Sequence, residues 1–416
     1  MSEGITAMEE EVKDKTPNFV SGTAELEPDM SLAQLVFRYG RLLSNDDDVI
    51  ADGIDVEQMK ENYEKKLSAE IERKQMAPLY EWICMKFGWD IDKKKLEEMK
   101  LSNDAEAAYL EAKLDEARRN SGDMEVVDAM FDIARFYGRI CDKEKTYLAN
   151  DEIRDRAKVS SGKKVDAVMN KIRISLFYLD LVKAKEQLAQ AKKLAETGGD
   201  WDRNNRLAVY EAIFFLVNRD FKEAAKKLLS GVSTFTCTEL CDYQDFVFYA
   251  VISNLLALTR PELKKKILDA PDVLQILPQI PHLQPLVSSL YDCEYATFFR
   301  HLLPIDARVK NDRYLQPHSK FLLRELRILV YTQFLDAYKS VTLQAMADKF
   351  QVSLSFLDKE LAHFVAQHRL NANIDSVHQI VHTNRPDANS AHYQSIIKQG
   401  DLLLNQIQKL ARCVAI

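Results

Sequence analysis

A chain of 416 residues with 46% hydrophobic positions exceeds the size at which one core stops growing, so a multi-domain protein with two or three cores is expected. Only 12 glycines and 11 prolines punctuate it, a scarcity that excludes most sandwiches and barrels and favours stacked helices. The formal charge of -7 leaves no global basic field to hold phosphate backbones, which argues against nucleic acid as the main ligand.

The cysteines, Cys84, Cys141, Cys237, Cys241, Cys293 and Cys413, are scattered, and the one close pair lacks the second pair that a zinc site needs. A reducing compartment fits this usage. No apolar run approaches the roughly 20 residues of a membrane span. The opening MSEGITAMEEEVKDK is acidic where a secretory signal is basic and then apolar. A cytoplasmic and nuclear protein without membrane contact is expected.

Residues 1–30 are polar and acidic, with Pro17 and Pro28, and read as a flexible tail. Residues 31–120 follow as charged helices whose narrow apolar stripes, among them Leu96, Met99, Tyr109 and Leu110, call for a partner surface. Residues 121–280 repeat: FYGRICDKEKTYLAN, FYLDLVKAKEQLAQA and FFLVNRDFKEAAKKL each run from an aromatic-rich helix through a short turn into a second helix. Asp142, Asp180 and Asp220 then fall in register about 40 residues apart, near the period of helical-hairpin repeats. Ala184 and Ala224 lie four residues beyond their aspartates, where a small side chain permits close helix approach. A further unit is expected in FVFYAVISNLLALTRPELKKKIL, with Pro261 opening its second helix. Such tetratricopeptide-like stacks form curved surfaces that bind protein.

After the break ILPQIPHLQP, a second module covers 281–385. Its helix KFLLRELRILVYTQFLDAY carries Leu322, Leu326, Val330 and Phe334 on one face. Residues 340–383 read as a winged helix-turn-helix, with Thr342 and Ser353 as caps and Met346, Phe350, Leu357, Leu361 and Phe364 as core. Ile374, Ile380 and Val381 fall in two short wing strands. A DNA reader needs cations or amides on its second helix, but Lys359 and Arg369 are offset by Asp358 and Glu360. No Lys or Arg stands between Leu370 and Thr383, so the module is expected to grip protein.

The final helix, 389–416, places Tyr393, Ile396, Gly400, Leu403, Ile407, Leu410 and Val414 at alternating steps of three and four, the seam of a coiled coil. Leu402 and Leu404 are expected to widen that face beyond one partner's reach, which implies a multi-helix bundle. Together with Ile374, Ile380 and Val381, these residues make up the expected protein interface.

Catalytic chemistry finds no support. HQIVH (His378, His382) lacks the glutamate of a zinc protease and falls in a hairpin. In SSGKKVD, Ala157 stands where a phosphate loop has its first glycine, and Lys164 where it has Ser or Thr. The acidic runs at Glu9 and Asp46 read as solvated. In GGDWDRNNRL, Asp200 or Asp202 is expected to cap a helix and Trp201 to pack across the joint, with Asp202, Arg203 and Arg206 as an inter-subunit contact in the sharper reading. No enzyme, cofactor or metal is expected.

GGDWDRNNRLAVY, RDFKEAAKKLL, STFTCTEL, LTRPELKKKI and TNRPDANSAHYQSIIKQGDLLLNQIQKLAR resemble the PCI-domain family of proteasome-lid non-ATPase subunits, numbered seven in fungi and six in mammals. The likeness runs from about Met76 to the C-terminus, and the first 75 residues carry no comparable signature. It implies a noncatalytic structural subunit of the regulatory particle lid, in a hetero-oligomer with other PCI and deubiquitinase subunits and the ATPase ring. Winged helices would pair edge to edge and the terminal helix would enter a shared bundle. The alternatives are a signalosome PCI subunit acting on cullin ligases, or an RNA-binding or translation-initiation PCI protein.

Overall fold

The structure, a computed structural model, describes residues 27–44, 56–198, 200–384 and 388–414. The acidic tail before Glu27, with its run at Glu9, and the run at Asp46 lie outside the described residues. Two compact units emerge: the chain up to Pro281 joined by Ala307–Ser319, and His282–Asp306 joined by Lys320 onward.

In the first unit, α1 (Met30–Leu43) is capped by Asp29, whose carboxylate accepts from Ser31 N, and packs on α2 (Val56–Lys74). Helix α3 (Ala77–Phe87) ends at Gly88, whose φ of 71° is the left-handed conformation that glycine adopts without steric cost. Helix α4 (Lys93–Asn120) buries only Met99, Asn103 and Leu114. Its expected stripe is therefore partly exposed, Tyr109 by 55%.

Three hairpins follow: α5 (Asp123–Arg139) with α6 (Lys143–Asp155), α7 (Ser161–Phe177) with α8 (Leu181–Gly198), and α9 (Trp201–Val217) with α10 (Phe221–Gly231). One turn is used in all three. Cys141, Leu179 and Arg219 take φ of 58°, 56° and 63°. The next amides, Asp142 N, Asp180 N and Asp220 N, donate back to the Tyr137, Ser175 and Phe215 carbonyls, which closes a Schellman motif. Each aspartate then caps the second helix, accepting from Lys145 N, Lys183 N and Glu223 N. Ala184 and Ala224 are fully buried between helices. Consecutive hairpins stack, α6 on α7 and α8 on α9, and α10 packs on α11 (Tyr243–Ala257), which is buried along ten residues from Phe246 to Leu255. Beyond it a capping box of Thr259 and Glu262 opens α12 (Arg260–Leu263), so Pro261 is its second residue, and a π-helical turn, Lys264–Leu268, continues it.

Segment Ala307–Ser319 is sewn onto this stack. Gln34 Nε2 donates to Asn311 O at 2.5 Å, and Arg313 Nη2 reaches the carbonyls of Leu176 and Phe177 at the end of α7. Asp312 accepts from Tyr249 Oη, Tyr314 N and Leu315 N.

The second unit contains α14 (Leu283–Asp292), following α13 (Pro271–Ile276) of the first, then most of α15 (Tyr295–Lys310) and α16 (Ser319–Leu335). Tyr295, Phe299, Tyr331 and Phe334 surround Phe350 with ring centroids 5.1 to 5.5 Å away. The winged helix comprises β1 (Ser340–Thr342), α17 (Leu343–Phe350), α18 (Leu354–Ala366), β2 (Ala372–Asp375) and β3 (Ile380–Thr383). Met346, Phe350, Leu357, Leu361 and Phe364 are all buried. Thr342 Oγ1 caps α17 by accepting from Ala345 N, whereas Ser353 occupies the cap position of α18 without a side-chain hydrogen bond. The sheet is antiparallel in the order β1-β3-β2, and β1 adds a third strand to the two read from sequence. Helix α19 (Ala388–Val414) closes the described chain.

Candidate protein interface

Helix α19 presents its apolar side chains to solvent. Tyr393 is 68% exposed, Ile396 63%, Leu403 60%, Ile407 53%, Leu410 64% and Val414 77%. A Cβ added at Gly400 would meet nothing within 4 Å, so the close crossing this glycine permits is not used among the described residues. At about 100° per residue, Ile397, Leu404 and Ala411 extend this face, while Leu402 falls on the far side of the helix from Gly400. The expectation that Leu402 widens the seam is corrected on that geometry. The width comes from Ile397 and Leu404.

The wing residues divide. Ile374 and Ile380 are half-buried, but Val381 is 1% exposed because it lies on the central strand, paired with Val341 and Ile374 and facing the module's core. Val381 is a packing residue in this chain. Strands β1 and β2 form the two edges of the sheet. The turn between β2 and β3 is held by Asp375, which accepts from Val377 N, His378 N and His378 Nδ1. Those bonds hold its carboxyl below the ordinary value. His378 thus serves the turn while His382 sits on β3, and no group of three metal-ligating side chains occurs among the described residues.

In GGDWDRNNRL, Asp202, Arg203 and Arg206 each find a partner elsewhere in the chain. Arg203 makes a two-pronged pair with Asp166 at 2.9 and 2.8 Å and reaches Asp200 at 2.5 Å. Asp202 accepts from Thr236 Oγ1 at 3.0 Å. Arg206 Nε and Nη2 hold Glu239 Oε1 at 3.1 and 2.6 Å, with Tyr210 Oη at 3.2 Å. The contacts to Asp166, Thr236 and Glu239 join neighbouring repeats. Asp200 occupies the helix cap, yet Trp201 is not buried in the joint: on the first helical position it is 68% exposed. In SSGKKVD, Ser160 caps α7 and Lys163 pairs with Asp128 at 2.6 Å, so the stretch is a helix start.

A cavity of about 770 Å³ lies in the first unit, with Arg38, Glu239, Asp245, Arg308 and Asp312 among its lining residues. Within it Arg308 pairs with Asp245 at 2.9 Å, and Glu239 on its wall is held by Arg206 from outside the lining. Burial pushes the Cys241 thiol on its wall up, which disfavours the thiolate form. No helix among the described residues is long and apolar enough to cross a membrane.

Helical hairpins leading into a three-stranded winged helix define a PCI-type protein, and residues 302–385 match the PCI domain model. Residues 92–266 match the model for 26S proteasome subunit RPN7, and 392–414 that for the 26S proteasome regulatory subunit RPN7/PSMD6 C-terminal helix. The chain is 44% identical over 339 residues to a 26S proteasome non-ATPase regulatory subunit 6 homolog from Arabidopsis thaliana, covering 82% of this chain and 87% of the relative. Similarity to the 26S proteasome regulatory subunit rpn7 of Schizosaccharomyces pombe is 38% over 80% of this chain and 86% of the relative. For RPN7 of Saccharomyces cerevisiae it is 35% over 87% and 90%. The chain belongs to the RPN7/PSMD6 family of 26S proteasome regulatory subunits. COP9 signalosome complex subunit 1 of Arabidopsis thaliana is more distant, 27% identical over 48% of this chain.

Proposed function

We propose that this chain is a noncatalytic structural subunit of the proteasome regulatory particle lid, scaffolding lid assembly for ubiquitin-dependent degradation in cytoplasm and nucleus. The observation that carries the reading is the uncovered apolar face of α19, in the stretch that matches the family's C-terminal helix model. Each fully buried Leu or Ile contributes about 1.5–3 kcal/mol, so a face this long and wide stabilises a bundle with more than one neighbouring helix. Other PCI and deubiquitinase subunits of the lid are the partners this reading names, with the ATPase ring placed beside them. Positioning, and not chemistry, is the contribution this reading assigns. One lysine against two acids on α18, and a wing without Lys or Arg, disfavour phosphate binding by the winged helix.

The test is purification of the tagged chain from cells and mass spectrometry of what accompanies it. Proteasome lid subunits in stoichiometric amounts support the reading. Signalosome subunits or ribosomal factors in their place sink it. The signalosome alternative is disfavoured by the lower identity and half-chain span of that likeness.

A further inference from the structure

The segment Arg118-Arg119-Asn120-Ser121 is absorbed by none of this. It ends α4 and forms the turn into α5. Ser121 is exposed and extended, with φ -123° and ψ 167°, and only its backbone is engaged, through Ser121 N to Ala117 O. All residues from 118 to 125 are exposed, and Leu114 is the last side chain of α4 to be buried. Ala117 is the last side chain of α4 packed on the core, so the chain from Arg118 onward can open without uncovering core, as a kinase cleft that takes extended peptide requires. Two guanidinium groups, three and two positions before a serine, form the charge pattern read by acidic subsites of a basophilic kinase.

The surroundings also suit the product. Helix α5 begins at Gly122, which has no side chain to cap the first amides. Facing that end is a cationic pair on the loop after α6: Lys158 Nζ lies 2.8 Å from Asp123 Oδ2, and Arg156 Nη2 3.9 Å from Asp123 Oδ1. Asp123 is two residues from Ser121, so a phosphate there meets the same cations and the uncapped helix start.

We propose that Ser121 is a phosphorylation site for a basophilic serine/threonine kinase, with Lys158 and Arg156 receiving the phosphate and tying the α4–α5 turn to the loop after α6. The Oγ–P bond forms as the γ-phosphoryl group leaves a nucleoside triphosphate. The hydroxyl proton is lost, and the diphosphate departs with the electron pair. The added charge of about -1.5 to -2 outweighs Asp123 in competing for Lys158. This inference is independent of the assembly reading above.

The full chain is incubated with ATP and a kinase selective for Arg-Arg-x-Ser, and the phosphate is mapped by peptide mass spectrometry. One phosphoryl group on Ser121 is expected, abolished by Ser121→Ala and slowed on the order of tenfold by Arg119→Ala, the loss of a charge-assisted contact. Phosphate found only elsewhere, or a rate indifferent to both arginines, overturns the site. Circular dichroism controls for folding. Phosphorus NMR tests the clamp: the second ionisation of the phosphoserine should fall below its ordinary value near 6 and return towards it in Lys158→Ala. Identical titrations in the two proteins overturn the clamp.

Discussion

Arg206 on α9 and Glu239, 33 residues later, share a hydrogen-bonded ion pair in which the carboxylate side chain is only 3% exposed. Burial works against the Arg206 charge, yet Glu239 beside it holds the guanidinium above its ordinary value. Removing one partner strands the other: Arg206→Ala should destabilise the first unit by about 3–5 kcal/mol. Thermal melting of Arg206→Ala, Glu239→Gln and the double variant checks this. Both single variants should melt well below the parent and the double variant should recover part of the loss. Additive losses would show that the pair is not coupled.

Asp29 caps α1 and also meets Lys74 of α2 at 3.1 Å. Burial alone would raise its carboxyl, but Ser31 and Lys74 together bring it below the ordinary 3.8. A depressed folded value means that the stabilisation is present above 3.8 and is lost as pH falls through the folded value. Hydrogen exchange in α1 should accelerate as pH falls through that window, after correction for intrinsic rates. In Asp29→Asn, which keeps a cap-competent side chain, that step should be absent. A step of equal size in the variant would assign it to another group.

Gln351 ends α17 with φ 55° and an exposed side chain. A side chain in the left-handed region is strained, so Gln351→Gly should stabilise the winged helix by about 0.5–1 kcal/mol, and Gln351→Val should destabilise it. Urea midpoints of the two variants should move in opposite directions.

Val381→Asp and the pair Leu403→Asp with Ile407→Asp separate folding from assembly. Val381 is 1% exposed, so the charge should unfold the winged helix at a cost of several kcal/mol. Leu403 and Ile407 are 60% and 53% exposed, so the paired substitution should leave the melting temperature within a degree or two, as surface changes do, yet exclude the chain from the lid. Deleting Lys398 to Ile416 should behave like the pair. Co-sedimentation with assembled lid at parental yield would show that α19 is not the docking element.

Periodicity and cap chemistry made the hairpins legible from sequence. Asp142, Asp180 and Asp220 begin their helices, and Ala184 and Ala224 sit where helices meet, because caps and helix faces are set by residues three or four positions apart. The seam of α19 was legible for the same reason. Tertiary structure decided the rest. Gln34 meets Asn311 and Arg313 reaches Leu176 across stretches that no local pattern connects. Trp201 lies outside and Val381 inside, although both are apolar in well-patterned segments. A side chain's period names its face, but whether that face is covered depends on distant elements that bring their own surfaces to it. That is why the sequence by itself determined the helices, their caps and the apolar stripe, while only the packed chain decided which apolar residues were left for a partner.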